Sequence, residues 1–265
     1  MKILVGADPE VFVKQNGIFK SAHGLIKGDK QHPFPVNKGA VQIDGLALEF
    51  NIDPAATDNE FLVNIQSVYK TLRDMVPDYE VVATPVADFT EEYMKSLPAE
   101  SLILGCDPDF NAWTNGGENV KPNGNLPMRT AAGHVHIGWC EGADKNSPGH
   151  IADCCAVVKQ LDYYLGLVSL LFDGNTRRRS MYGAAGCFRP KSYGVEYRVL
   201  SNAWLNSEKL IKWVFNNTQI AMDDMVNGYL LADEYGNIQQ IINTSNVKEA
   251  KAIINNFNIP VPQGV

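Results

Sequence analysis

Cysteine is scarce in this chain and badly placed for pairing: five in 265 residues (Cys106, Cys140, Cys154, Cys155 and Cys187), with no Cys-x-x-Cys spacing. An odd number in that arrangement argues against a disulfide framework or a structural zinc site, and makes a reducing cytoplasm the expected compartment. No stretch approaches about eighteen uninterrupted apolar residues, and the opening MKILVGADPE turns acidic too early for a signal peptide, so neither a membrane span nor a leader is expected. A Walker-type GxxxxGK[ST] run is missing, as is a GxGxxG opening a helix, so a glycine-rich loop is not available to cradle phosphate. No Ser-His-Asp or Cys-His arrangement stands out, and a covalent enzyme intermediate is not called for. Repeats, low-complexity tracts and linkers are absent too, and the chain reads as one domain over residues 1–265. The net charge of −7 argues against nucleic acid as a partner.

Arginine is also sparse, but its placement is informative. Of seven, six (Arg129, Arg177, Arg178, Arg179, Arg189 and Arg198) fall between residues 129 and 198. An acidic protein that confines its guanidinium groups to one region suits anion binding there, because the planar fork matches phosphate and carboxylate. Surface salt bridges are the alternative.

With 45% hydrophobic and 20% charged residues, the chain has ordinary globular composition and enough length to bury a sizeable core. Apolar runs at 2–5 and 10–14 read as strands, and Asn16-Gly17 as a hairpin turn into a further strand near 18–22. Residues 23–39 read as a loop. Residues 41–52 look like two short strands about Asp44-Gly45. Thr57-Asp-Asn-Glu60 is a capping box opening a helix to about Met75, with Phe61, Leu62, Ile65, Val68 and Leu72 on one stripe. Strands are expected at 79–84 and 101–105, and a loop-rich stretch at 106–130. Ser147-Pro148 starts a helix to about Phe172. Residues 173–193 read as irregular, 195–201 as a strand, and 207–231 and 247–256 as helices. This order predicts an α+β fold, an antiparallel sheet backed by helices on one face, with the other face free to form a site.

Four segments then repeat one device, functional side chains at i and i+2 of a strand, where both point to the same face. Asp8 and Glu10 do so in GADPEVFV, Glu49 and Asn51 in LEFN, His134 and His136 in GHVHIG, and Glu196 and Arg198 in GVEYRVLSN. In the histidine segment the other face carries Val135, Ile137 and Trp139, which suits a core. Two solvated histidines on an exposed strand are the bland alternative for that segment alone. Half-buried strands bearing carboxylates cost stability unless a cation offsets them. Carboxylate-rich spheres with an imidazole suit Mg²⁺ or Mn²⁺ better than structural zinc.

These segments and the RRR…FR run resemble, in the same order, the phage-encoded carboxylate–amine ligases (COOH–NH2 ligase type 2), a compact relative of glutamine synthetase and glutamate–cysteine ligase. The resemblance spans roughly residues 3 to 204. It implies a glutamine synthetase-like catalytic domain, ATP with Mg²⁺ or Mn²⁺, and amide formation through an acyl phosphate from small-molecule or peptide carboxylate and amine substrates. By position, Asp8, Glu10, Glu49, His134 and Glu196 resemble metal ligands, and Glu49 completes the first site. His136, Arg178, Arg179 and Arg198 resemble nucleotide-phosphate contacts, and Arg189 and Arg198 hold the transferring phosphoryl group. Arg129, Asn111 and Trp113 are candidates for substrate selection, although Arg129 in a surface pair is an equal alternative. The family pattern is not fully kept: Asp8 stands for a longer glutamate, Asp44 and Glu49 replace a carboxylate pair at other spacing, and the chain opens at the catalytic strand, so a site shared between subunits is not expected. On the residues alone, a metal-dependent hydrolase around His134, His136 and Glu10, a phosphotransferase, and an inactive binding module remain as rivals. His23, His32 and His150 have no partners at useful spacing, and Asp107-Pro108-Asp109 reads as a turn.

Overall fold

The computed structural model describes residues 2–102, 109–120 and 126–264. Its strands are β1 (Leu4–Gln15), β2 (Ile18–Lys20), β3 (Phe34–Val36), β4 (Gly39–Asp44), β5 (Ala47–Ile52), β6 (Glu80–Val82), β7 (Val86–Asp88), β8 (Phe110–Asn111), β9 (Gly117–Glu118), β10 (Met128–Thr130), β11 (Gly133–Gly138), β12 (Cys187–Lys191) and β13 (Gly194–Tyr197). Eleven of them form one sheet, whose main path runs β3-β4-β5-β1-β11-β13-β12-β8-β9, while β2 and β6 pair with the far end of β1. The pairings are antiparallel. The α+β expectation is met.

The two apolar runs expected at 2–5 and 10–14 are one strand. Asp8 and Glu10 interrupt the hydrophobicity but not the backbone, because Val5, Ala7, Val11 and Val13 alternate with them and are fully or almost fully buried on the other face. Asn16 and Gly17 both take positive φ (53° and 77°), as the tight turn into β2 requires. Asp44 and Ala47 flank the expected break between β4 and β5.

The helices cover the face that carries Val5, Val11, Phe50, Val135 and Ile137. Asp58–Met75 begins as the capping box predicts: the Thr57 side chain accepts from the Glu60 amide at 3.2 Å, while the Glu60 carboxylate reaches back to the Ala56 amide at 2.8 Å. Phe61, Leu62, Ile65, Val68 and Leu72 form its buried stripe. Helix Pro148–Leu161 is N-capped by Ser147 and runs into a π-helical turn at Asp162–Leu167, and Glu208–Val226 packs against both long helices. On the opposite face a small cluster of Phe12, Leu46, Ala47, Ala87, Phe89 and Ala131, under the β7–β10 ribbon, closes one end of an otherwise open surface. No helix among the described residues is long and apolar enough to cross a membrane.

Three expectations need correction. Residues 34–36, expected within a loop, pair with β4. Residues 187–191, within the stretch read as irregular, form β12; beyond Phe188 that strand pairs with β13 only, so Pro190 needs no second partner. Ser101 and Leu102, expected to open a strand, end the helix Ala99–Leu102; residues 103–105, with Cys106 and Asp107-Pro108, lie outside the described residues.

Where the site strand begins, the backbone has no room for a side chain. A Cβ on Gly133 would sit 2.3 Å from Trp204 Nε1 and 2.4 Å from the Ser201 carbonyl oxygen, and both neighbours are buried. Trp204 Nε1 donates to the Gly133 carbonyl at 3.1 Å, so neither can step aside cheaply. We expect Gly133→Ala to destabilise the protein by about 3 kcal/mol or more, measured by urea unfolding; a loss below about 1 kcal/mol would contradict this packing.

Candidate active site

Sheet register assembles the site. In an antiparallel pair, residues directly opposite share a face. Asp8 lies opposite His134, Gly6 opposite His136, and His136 in turn opposite Glu196, which lies opposite Arg189. On the other side of β1, Glu10 lies opposite Glu49 and Glu49 opposite Gln42. Six strands thus line up their polar residues on the face the helices leave open. They line a cavity of about 1690 Å³, together with Asp44, Arg198, Lys191, Tyr182 and Tyr193.

Two clusters divide this surface. In the first, Glu10, Asp44 and Glu49 each bring a carboxylate oxygen within 4.8 Å of the others. Glu49 accepts from Gln42 Nε2 at 2.9 Å and Glu10 from the Ala132 amide at 2.8 Å. Burial, and then the neighbouring Asp44 carboxylate, push Glu10 up to about 7. Burial and the carboxylates of Asp8, Glu10 and Asp44 hold Glu49 well above the usual range. Three acids at this separation attract a cation, whether a proton or a metal.

The second cluster joins Asp8, His136 and Glu196. Burial opposes ionisation of Asp8, but the imidazoles of His136 and His134 outweigh it and hold the carboxyl well below its ordinary value. Asp8 Oδ1 and His136 Nε2 form a buried ion pair at 3.0 Å that lacks well-aligned hydrogen-bond geometry. The other nitrogen of His136 is bonded to the Tyr193 hydroxyl. Burial would lower the His136 imidazole, but Asp8 overrides it and raises it. His134, 4% exposed, sits 3.4 Å from both Asp8 and Glu196; burial and the Arg198 guanidinium push it down to about 4, so at neutral pH it is an uncharged imidazole. Glu196 is also contacted by Arg198, by Lys191 at 2.7 Å and by Arg189 at 3.4 Å. Arg198 in turn lies 3.4 Å from Asp109 and 5.3 Å from the centre of the Tyr182 ring.

Asp8, Glu10, Glu49, His134, His136, Glu196, Arg189 and Arg198 therefore converge as the spacing suggested. Both histidines reach the carboxylates: His136 is grouped with Asp8 and Glu196, and the less exposed His134 lies 3.4 Å from each of the two. The arginine run does not face the cavity. Arg178 is fully buried and donates to the carbonyls of Ala131, Val199 and Leu200, and Arg179 donates to the Asp173 carbonyl and the Ser169 hydroxyl. Arg177 is exposed and forms a two-pronged pair with Asp88. Placing Arg178 and Arg179 at nucleotide phosphate is thus corrected: the turn Thr176–Arg179 points them into the protein. Asn111 and Trp113 are corrected too. Asn111 caps the turn that carries Trp113, and Trp113 Nε1 donates to Asp162 at 2.6 Å on the core side of the sheet. Arg129 borders the cavity, but its guanidinium serves the carbonyls of Leu102, Leu126 and Met128. His150 is buried against the carbonyls of Lys191 and Gly194.

Lys191, Tyr193, Tyr182 and Gln42 were not found from the sequence. Lys191 stands at i+2 from Arg189, the same device as the other pairs, but was hidden because β12 was not recognised as a strand.

The raised Glu10 carries a pH signature. A folded-state value of about 7 against an ordinary 4.5 means the folded chain holds a proton that the unfolded chain has released between those values. This contribution to stability is present below about pH 4.5 and is lost as pH rises toward 7. His134 acts in the opposite sense over part of the range, so the signature is read as a difference. We expect Glu10→Gln to be more stable than wild type without added metal, by a margin that grows by on the order of 2 kcal/mol from pH 5 to pH 8. Denaturant unfolding at both pH values checks it, and a margin independent of pH would contradict the proton held at Glu10.

Comparison with known proteins gives one family match, over the segment that holds the histidine and Glu196 strands. The model of the family described as "Phage phiEco32-like COOH.NH2 ligase-type 2" matches residues 113–239. No curated protein matches. Among solved structures, a "novel glutamine synthase homolog" aligns at 10% identity over 96% of this chain and 63% of its own, with a TM-score of 0.44. A "GmaS/ADP complex" aligns at 9% identity over 99% of this chain and 71% of its own, with a TM-score of 0.39. The chain thus spans just under two thirds of the length of the first of these. Residues 113–239, just under half of the chain, match the model of the family that the ordered motifs resemble, the phage carboxylate–amine ligases of type 2.

Proposed function

We propose that this protein is an ATP-dependent carboxylate–amine ligase that forms an amide through an acyl phosphate. The observation that carries the reading is the opposition, on one open sheet face, of two carboxylate clusters and a guanidinium pair within a single large cavity. The donor set fits divalent cations: Asp8, His136 and Glu196, whose donor atoms lie close together, for one, and the mutually repelling Glu10, Asp44 and Glu49 for another. Oxygen-dominated spheres of this kind favour Mg²⁺ or Mn²⁺. Bound there, such ions neutralise phosphate charge.

The chain's own residues supply orientation and charge. Arg198, paired with Glu196, braced by Asp109 and lying over Tyr182, lines the cavity, as does Arg189 on the neighbouring strand opposite Glu196. A substrate carboxylate oxygen attacks the γ-phosphorus, and the β–γ bridging oxygen leaves with ADP. Both guanidinium groups stabilise the negative charge spread over the transferring group. The amine nitrogen then attacks the acyl carbon, phosphate departs with the C–O electron pair, and the nitrogen gives up its proton.

Thermal unfolding with ATP, with Mg²⁺ or Mn²⁺, and with both tests this first. A ligand at a hundred times its dissociation constant stabilises by about 2.7 kcal/mol, a shift of several degrees for a chain of this size. We expect a shift that needs nucleotide and metal together and is lost in Glu196→Ala, followed by ADP release that depends on both a carboxylate and an amine. A shift with metal alone would favour the hydrolase, ADP formation without an amine the phosphotransferase, and no shift at all an inactive module.

A further inference from the structure

The carboxylate of Glu196 is the most contested group in the cavity. Its side chain is 1% exposed, yet Arg198 and Arg189 approach its Oε1, Lys191 Nζ lies 2.7 Å from its Oε2, and His134 Nδ1 lies 3.4 Å from Oε1. These partners are not equally committed. Arg198 is 6% exposed and held by Asp109 and the Tyr182 ring as well. Lys191 is 29% exposed, reaches the carboxylate from the cavity wall, and carries a compact charge on a flexible four-carbon stem.

The strand pairing makes that reach possible. Lys191 lies opposite Gly194, not opposite Glu196, which is paired with Arg189. Gly194 puts no side chain in the way, so the lysine crosses diagonally to Glu196, a distance that only a long side chain spans. The main chain beneath is fixed: His150 Nε2 lies 2.8 Å from the Lys191 carbonyl, the amides of Trp139 and Cys140 donate to the Tyr193 carbonyl, and that of Ala143 to the Ser192 carbonyl. The hairpin tip is anchored, and the lysine side chain is what can move.

We propose that Lys191 is a displaceable internal counter-ion of Glu196, whose transfer from the carboxylate to a polyphosphate couples divalent-cation binding at Asp8, His136 and Glu196 to nucleotide binding. A divalent ion that takes Glu196 must dislodge the ammonium from Oε2 and join a centre already crowded with positive charge. A polyphosphate in the same cavity offers Lys191 another anionic partner, and the carboxylate is released to the ion. The coupling is reciprocal: the cation improves nucleotide binding by the same factor. Lys191 is thereby a positioning residue, distinct from the arginines that hold the transferring group. The proposal rests on the ligase reading for the identity of the ligands.

The test is Mn²⁺ titration of the full-length protein, followed by calorimetry and by the electron paramagnetic resonance of free Mn²⁺, with and without a non-hydrolysable ATP analogue. The relevant site is the one that Glu196→Gln removes. In wild type we expect the analogue to tighten Mn²⁺ at that site roughly tenfold or more. In Lys191→Gln, Mn²⁺ should bind more tightly without the analogue, and the analogue's enhancement should shrink. Lys191→Arg should restore the wild-type pattern, and Lys191→Gln in the Glu196→Gln background should have no effect on the remaining Mn²⁺ binding. Unchanged or weaker Mn²⁺ binding by Lys191→Gln without the analogue overturns the proposal while leaving the ligase reading intact. Failure of the wild type to bind Mn²⁺ or the analogue overturns both.

Discussion

The register of β1 with its two neighbours is the constraint on which the rest depends. Because Asp8 faces His134 and Glu10 faces Glu49, one strand places a carboxylate beside imidazoles on one side and beside another carboxylate on the other. A slip by one residue would turn Asp8 and Glu10 into the helices and Val11 and Val13 into the cavity. The alternation of Val5, Ala7, Val11 and Val13 thus does two jobs: it binds the sheet to the helical layer, and it fixes where every charge on the open face must lie.

The same constraint explains why the two carboxylate clusters differ electrostatically. Asp8 has imidazoles as cross-strand neighbours and Glu196 has lysine and arginine, so Asp8 is held ionised in spite of burial. Glu10 and Glu49 face each other with Asp44 close by, and their affinity for a proton rises. One cluster is organised around opposite charges and the other around like charges, although both draw on the same strand. Such local conflict is what a site designed to receive charge is expected to show, offset by a large apolar core on the opposite face.

Much of this was legible in the sequence, and the reason is periodicity. Side chains at i and i+2 of a strand must share a face, so ADPE, LEFN, GHVHI and VEYR revealed their pairs without any knowledge of the fold. The capping box at Thr57 and the Ser147-Pro148 start were equally local signals, decided within four residues. What could not be read was which strands lie side by side, since register is a property of the tertiary structure. Asp44 was visible as the companion of Glu49 but not as a neighbour of Glu10, because only the β4–β5 and β5–β1 pairings bring the three together. Lys191 was lost with its strand, which lay within the glycine-containing stretch 173–193 read as irregular. That both His134 and His136 reach Asp8, and that His134 also reaches Glu196, depends on side-chain direction within the cavity, which spacing does not encode.

The arginines show where composition misleads. Clustering between residues 129 and 198 suggested a common anion-binding task, yet the guanidinium group has two uses that sequence does not separate. It binds anions, and its five donors also satisfy several carbonyls at once where the chain changes direction. Arg178 does the latter for Ala131, Val199 and Leu200, the segments that lead into and out of the site strands β11 and β13. Burial without a directly paired carboxylate lowers its pKa to about 10 and still leaves it charged at neutral pH. It holds together the ends of the two strands that carry His134, His136, Glu196 and Arg198, close enough to Glu10 for their charges to interact. An arginine that touches no ligand can therefore matter to the site as much as one that does, because the register that brings the ligands together ends at the carbonyls it holds.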